Sequence, residues 1–471
     1  MTKPIEAILI GAGQRGAESY APYALQHPDQ LRFVAVAEPD PGRRARFAAQ
    51  HGIPPDRQCE FWEELLARPQ FAEAVLVCTQ DWQHTAPAMA AMQAGYHVLL
   101  EKPMATTADE CRQLVRTSEE TNRQLHICHV LRYTKHFQTM RKILQSGVLG
   151  EVIDVAHREN VGYFHMAHSY VRGNWRNSSQ SSPMILAKCC HDFDILLWLL
   201  SELPQPGGPP ARKCLRLSSA GSLAHFRPEN APPGAPQRCL EGCPASKSCL
   251  YYAPWIYLDL VPFWRSFTET ATGFPAWATR TYLEKPWLIR GLAKIFPPLR
   301  QITEYRGWPL SVLTPDPTRE NILKALQEGP YGRCVYHCDN DVVDHQTVLM
   351  EFEGGLPVTL TMHGHSHIEY RTTRIEGTRA RLLAEFGNGG SFIQIDEHHN
   401  DRTTRYNTSP SGSSGHGGGD HALMKAFVDS IRGRGEGAFT MARAALTSHL
   451  MAFAAEEARL NGGVVEAEAF E

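Results

Sequence analysis

The stretch ILIGAGQRGAES, residues 8–19, constrains this chain more than any other part of its length. It sets Gly11, Gly13 and Gly16 between an apolar run and a segment of helical character. Gly11 permits a tight turn, Gly13 lets the backbone approach a diphosphate, and Gly16 lets helix and strand pack closely. Gln14 and Arg15, inside the turn, join the candidate set. A glycine pattern alone is weak evidence, so the context has to carry it. Here AVAEPD ends a second apolar run at Glu38, 22 residues past Gly16. A carboxylate there can accept hydrogen bonds from a ribose diol, which favours NAD over NADP. Arg43 and Arg44 stand close enough that a phosphate partner stays open. In the later glycine run SGHGGGDH no Lys-Ser or Lys-Thr pair follows, so that run is not a P-loop.

The same alternation continues to about residue 130. Apolar runs AILIGAG, LRFVAVAE, AVLVCTQ, YHVLLEKP and QLHICHV are separated by amphipathic stretches, the pattern of a parallel sheet with crossover helices. From about Gly150 the pattern changes to period-two runs such as VVDHQTVLMEFEG and TTRIEGTRARLLAEF, as in an antiparallel sheet. The expected fold is α/β: a Rossmann dinucleotide-binding domain over residues 1–130, then an α+β domain over 131–471 with an open, mostly antiparallel sheet. A proline-, cysteine- and aromatic-rich insertion with little regular structure of its own is expected at about 204–330. The tail reads as a flexible glycine-rich loop leading into a helix capped by Asp420.

Composition narrows the function classes. A net charge of -3 over 471 residues, with no basic block, argues against a nucleic-acid partner. No run of 18 apolar residues occurs, so no membrane span is expected. The first strand starts at Ile5, leaving no room for a signal peptide, so the expectation is a cytoplasmic protein without a membrane partner.

Further motifs carry a resemblance. LLEKPMATT places Glu101-Lys102-Pro103 at a strand end, and CTQDWQH places Thr79, Asp81 and His84 at the preceding one. HVLRY, with His129, Arg132 and Tyr133, follows the last strand, and CHDFDILLWL opens with His191 and Asp192. In this order they resemble the glucose–fructose oxidoreductase / inositol dehydrogenase (Gfo/Idh/MocA) family, well over residues 5 to about 200 and loosely beyond. The resemblance implies a bound NAD, Lys102 directed toward the nicotinamide and the substrate hydroxyl, and His191 across the substrate as acid/base. Oxidising a carbinol needs a base of near-neutral pKa, which histidine supplies unaided. Lys102 either shares that role or anchors the hydroxyl. One departure stands out: where many family members carry an aspartate four residues before the histidine, this chain has Ala187, followed by Lys188. Lys188 is therefore a third catalytic candidate. The bland alternative is that Asp192 and Asp194 favour a helix N-terminus capped by His191.

Upstream, FHMAHSYVRGNWRN offers His165, His168, Tyr170, Arg172, Asn174 and Trp175, polar groups and aromatic faces of the kind that recognise a sugar. His416 is placed to close over the substrate. Among 12 cysteines, Cys239, Cys243 and Cys249 cluster, and Cys334 and Cys338 follow. A tetrahedral zinc site built on Cys239, Cys243, Cys249 and Cys338 is one reading. An iron–sulfur cluster and unligated thiols are the others; Cys214, His337 and His345 are alternative fourth ligands. The aromatic run from Tyr251 to Trp264 reads as a subunit or domain contact, and a homo-oligomer is expected. The function expected is hydride transfer between a nicotinamide cofactor and a hydroxyl carbon of a sugar, polyol or derivative. The alternatives are an NAD-dependent glycosidase acting by transient oxidation and elimination, and a non-catalytic nucleotide sensor.

Overall fold

The computed structural model describes residues 3–201, 212–271, 273–387, 390–409, 415–434 and 440–469. Six strands form the first sheet: β1 (Ile5–Ile10), β2 (Leu31–Ala37), β3 (Gln58–Cys59), β4 (Ala74–Val77), β5 (His97–Leu100) and β6 (Leu125–Ile127). They lie in the order β3-β2-β1-β4-β5-β6, every pair parallel. Ala74, Val75, Leu76 and Val77 are all buried, because helices cover both faces of such a sheet. The order reverses between β1 and β4, and the crevice beyond their carboxyl ends is where an open α/β sheet takes its ligand.

Nine strands form the second sheet: β7 (Val152–Gly162), β8 (Cys214–Ser222), β9 (His345–Phe352), β10 (Leu356–Ser366), β11 (Tyr370–Gly377), β12 (Ala380–Gly387), β13 (Phe392–Glu397), β14 (Thr403–Asn407) and β15 (Val464–Glu466). Their order is β14-β13-β12-β11-β7-β10-β9-β8-β15, antiparallel except for the β7–β10 pair. One face packs on the helix Met184–Leu200 in a core that includes Phe193, Leu196, Val348, Leu360 and Ile375.

Three expectations change. The insertion is largely helical and builds its own core from Ile256, Tyr257, Leu260, Trp264, Leu310 and Leu326. In the run Tyr251–Trp264, Tyr257 and Trp264 are buried in that core and Tyr251 in the core of the nine-stranded sheet, while Tyr252, Trp255 and Phe263 are half-buried. The tail helix Gly419–Ile431 is capped by Gly418, whose φ of 87° suits a residue without a Cβ. Asp420 lies in its first turn and pairs with Arg15 at 2.9 Å. That helix packs Leu423, Met424 and Phe427 against the first sheet, so the chain returns to it after completing the second. The glycine-rich loop before it falls in part on 410–414, outside the described residues, and His416's side chain is likewise outside them.

Candidate active site

The glycine turn has the shape the sequence requires. Gly11 sits at φ 91°, and a Cβ on Gly16 would meet the Gly11 carbonyl oxygen at 2.3 Å. At Gly13 nothing lies within 4 Å of where a Cβ would stand, so the space above the turn is open to a ligand. Behind it, the Ala12 N–H donates to the Glu38 carboxylate at 2.7 Å, and the Asp40 N–H donates to its other oxygen at 3.0 Å. Glu38 thus stiffens the turn from the second strand, and Arg44 is tied to the Glu38 carbonyl. Of these two arginines, Arg43 is the one that lines the cavity. Open space at Gly13, a helix start behind it and a cation beside it fit a dinucleotide diphosphate.

A cavity of about 1110 Å³ runs from this turn to the second sheet. Of the candidates from sequence, Gly13, Gln14, Arg15, Thr79, Asp81, Glu101, Lys102, His168, Tyr170, Trp175, Lys188 and His191 line it. Lys102 follows β5, its peptide to Pro103 is cis, and its Nζ donates to the Ala187 carbonyl at 2.8 Å. Ala187 and His191 stand one helical turn apart on the same face of Met184–Leu200. Lys102 is therefore held beside His191 at the position where many relatives have an aspartate. Lys188 to Asp194 occupy the middle of this helix, so they do not cap its start; the charged crowding faces the cavity and the second sheet.

The network around Lys188 is dense. Its ammonium bonds Glu369, which also takes His165, and lies 3.2 Å from Glu159. Burial alone would lower the lysine's pKa, yet the carboxylates of Glu369 and Glu159 outweigh it and hold Lys188 above its usual range. Lys188 is therefore a standing cation at the cavity wall. Arg371, another cavity cation, is held by Asp192 at 2.7 Å and Glu159 at 2.8 Å. Asp81 accepts from Trp175 Nε1 at 2.9 Å and Ser182 at 3.2 Å, tying the loop after β4 to the segment that precedes the helix Met184–Leu200.

Other candidates sit behind the wall. Glu101 lines the cavity, but its carboxylate takes Arg15 at 2.6 Å, Tyr20 at 2.6 Å and the Lys102 N–H at 2.7 Å. His84 Nδ1 lies 2.7 Å from the Pro103 carbonyl and braces the lysine loop. Arg132 is clamped on Asp194 at 2.7 and 2.5 Å, and Tyr133 faces Thr440 at 3.0 Å. His129 is buried with its Nδ1 3.5 Å from His191 Nδ1; burial first, then Arg132 and Lys102, push its pKa well below the ordinary value. Asp192 is also bonded to His157 at 3.0 Å. None of Arg132, Tyr133, His129, Asp192 or Arg172 lines the cavity.

Arg172 is spent elsewhere. It is fully buried, donating to the carbonyls of Arg333 and Tyr251 and to Cys239 Sγ at 3.6 Å. With Cys239, Cys243, Cys249 and Cys334 it encloses a second, small cavity. Cys338 instead turns its thiol to the Cys334 carbonyl at 3.3 Å. Among the described residues no group of three or more His, Cys, Asp or Glu side chains is disposed to hold a metal ion. The zinc expectation is thus corrected: a guanidinium shares the cavity with the sulfurs, and burial pushes the Cys338 thiol to about 11 and raises those of Cys249 and Cys334.

Sequence reasoning missed Glu369 and Arg371, which line the cavity from β11 and the residue before it, and the wall formed by Trp308, Thr314–Asp316, Asn321, Lys324 and Glu328–Tyr331. Charged side chains on a strand expected to bury one face were the available signal for the first two; nothing local marked the wall.

Fold and site together define a two-domain dinucleotide-binding protein with its ligand cavity between a parallel and an antiparallel sheet. The chain belongs to the Gfo/Idh/MocA oxidoreductase family: residues 5–129 match its NAD-binding Rossmann fold, and 141–206 with 314–466 match its C-terminal alpha/beta domain. It is 26% identical over 199 residues to 2,7-anhydro-N-acetylneuraminate hydratase of Escherichia coli, covering 42% of this chain and 50% of that one. It is 29% identical over 196 residues to inositol 2-dehydrogenase 2 of Saccharopolyspora erythraea, covering 41% and 53%. The chain thus spans about half the length of these curated relatives. An inositol dehydrogenase homolog from Azotobacter vinelandii, solved with NAD+, shares the fold at a TM-score of 0.63 and 16% identity, over 99% of this chain and 98% of that one.

Proposed function

We propose that this protein is an NAD-dependent oxidoreductase acting on a hydroxyl carbon of a sugar, polyol or sugar derivative. The observation that carries the reading is Lys102 bonded to Ala187, one turn from His191, on a cavity continuous with the glycine turn. The turn around Gly13, with Gln14, Arg15, Thr79 and Arg43, would hold the dinucleotide, which would supply the acceptor for the carbinol hydride. His191 takes the hydroxyl proton as the carbonyl forms, and Lys102 holds the carbinol oxygen. Lys188 and Arg371 orient the remaining hydroxyls as fixed cations, while Tyr170 and Trp175 cover the C–H face. Glu38 favours NAD over NADP, because its carboxylate accepts from a ribose diol and repels a 2′-phosphate. In this reading the chain divides near residue 130, carries its insertion at about 204–330, and self-associates through the open face of the nine-stranded sheet.

A second reading, an NAD-dependent glycosidase that oxidises transiently, eliminates, hydrates and reduces again, is favoured by one feature. The insertion contributes Trp308 to the same cavity, and Thr314–Asp316, Asn321, Lys324 and Glu328–Tyr331 continue a wall against which an aglycone would rest. One experiment separates the two: free sugars and aryl glycosides incubated with NAD in heavy water, with NADH absorbance and sugar products followed together. NADH accumulating with a keto-sugar is the expected result. Aglycone release with deuterium beside the transient ketone and no net NADH would make it the glycosidase. Binding of NAD with no turnover on any sugar would leave a sensor. Lys102→Ala and His191→Ala are expected to lose at least about 100-fold in turnover while NAD affinity stays within a few-fold. Wild-type rates in either variant would sink the site.

A further inference from the structure

The helices Gly273–Glu284 and Pro286–Ala293 of the insertion carry an apolar face that no other described residue covers. Their inner side is slight: Ala278, Ile289, Ala293 and Leu299 form a small core of their own. On the outer side Phe274 is 50% exposed, Trp277 49%, Trp287 70%, Ile295 85% and Phe296 47%. Three of these side chains are contiguous, the Phe274 ring lying 5.6 Å from Trp277 and 5.7 Å from Phe296, and Trp287 and Ile295 are exposed on the second helix and just after it. On the second helix Trp287 points opposite to the buried Ile289, so both sides of this helix are apolar, whereas a surface helix ordinarily shows water a polar face.

The charge on these helices is mostly positive, although Glu304 lies 3.9 Å from Arg300 at the edge. Residues 273–300 hold Arg280, Lys285, Arg290, Lys294 and Arg300 against Glu284 alone, five cations less one anion, in a chain whose net charge is -3. All five cations are exposed. A second copy of the chain docked face to face would set five cations against five, which disfavours self-association here. Exposed Trp, Phe and Ile ringed by Lys and Arg, nearly without carboxylates, match instead the interface of an anionic bilayer. There the apolar side chains enter the acyl boundary, Trp sits at headgroup level, and the cations meet lipid phosphates.

We propose that this helical pair docks the protein on an anionic lipid surface. Among the described residues no helix is long and apolar enough to cross a membrane; a helix lying in the interface needs no such length. The expectation of no membrane partner considered only spanning.

The test uses the full chain and two kinds of vesicle, phosphatidylcholine alone and phosphatidylcholine with about a quarter phosphatidylglycerol. Co-sedimentation with the anionic vesicles is expected to be at least about tenfold stronger than with the neutral ones and to weaken in about 0.5 M salt. The double variant Trp287→Glu/Ile295→Glu is expected to lose about tenfold or more of that binding with an unchanged melting temperature, since both side chains face solvent. Arg290→Glu/Lys294→Glu, which leaves the apolar face intact, is expected to lose the preference for anionic vesicles. Absence of binding to either vesicle, or equal binding by wild type and both variants, would overturn the proposal. So would concentration-dependent dimerisation, in sedimentation velocity, that the first variant abolishes, because the face would then join two copies.

Discussion

Lys188 holds its charge in the interior of the helix Met184–Leu200, its side chain 11% exposed, against a fully buried Glu159 and a partly buried Glu369. Removing one partner of such a pair costs more than the pair contributes, because the remaining charge stays buried without compensation. Lys188→Met is therefore expected to destabilise the fold by about 3–5 kcal/mol, read by calorimetry, and Glu159→Gln in the same chain to restore part of the loss. A melting temperature unmoved by Lys188→Met would mean that Arg371 alone satisfies both carboxylates. His191 is positioned differently. Its Nδ1 faces His129 instead of a carboxylate from the preceding turn, so the place of the absent aspartate is shared between Lys102, on the Ala187 carbonyl, and a histidine from the Rossmann domain.

At the scale of an element, the glycine turn makes separable predictions for two glycines three residues apart. Gly16→Ala drives its Cβ to 2.3 Å from the Gly11 carbonyl oxygen and 3.0 Å from Leu9 Cδ1, and the backbone oxygen cannot move aside without shifting the turn. The expected cost is about 1–3 kcal/mol of stability, in calorimetry. Gly13→Ala meets nothing within 4 Å, so stability should hold to within about 0.5 kcal/mol. Its methyl instead occupies the approach of the diphosphate, and NAD affinity should fall by about tenfold or more in a fluorescence titration. Equal stability loss in both variants would contradict the packing described for this turn.

For the whole molecule, the buried histidines set the response to acid. His126, His136 and His449 are each pressed by burial to about 3, against about 6.5 in an unfolded chain. Above about pH 6.5 neither state binds these protons and they leave stability unchanged. Between about 6.5 and 3 the unfolded chain binds protons that the folded one refuses, so stability falls as pH falls, by about 1.4 kcal/mol per unit for each histidine. Glu369 and Asp192, whose carboxyls stay below their usual range through Lys188, His165 and Arg371 despite burial, add to the loss only below about pH 4. Urea melts at pH 7, 6 and 5 should therefore show a steepening decline; a flat profile over that range would exclude the histidine account.

The sequence by itself determined the features that depend on neighbours along the chain. The glycine turn, the parallel strands of the first sheet, the β11–β12 hairpin and the loop at Lys102 follow from local pattern, because glycine conformation, strand period and turn chemistry act over a few residues. The tertiary structure decided which charged groups share the cavity. Glu369 and Arg371, just before and on β11, reach Lys188 and Asp192 across about 180 residues of sequence, and Trp308 with the segment Thr314–Tyr331 supplies a wall. The same long-range packing buried Tyr251, Tyr257 and Trp264 and set Arg172 among the cysteines. Burial and charge pairing are sums over every segment that folds onto a residue, and no local spacing encodes them.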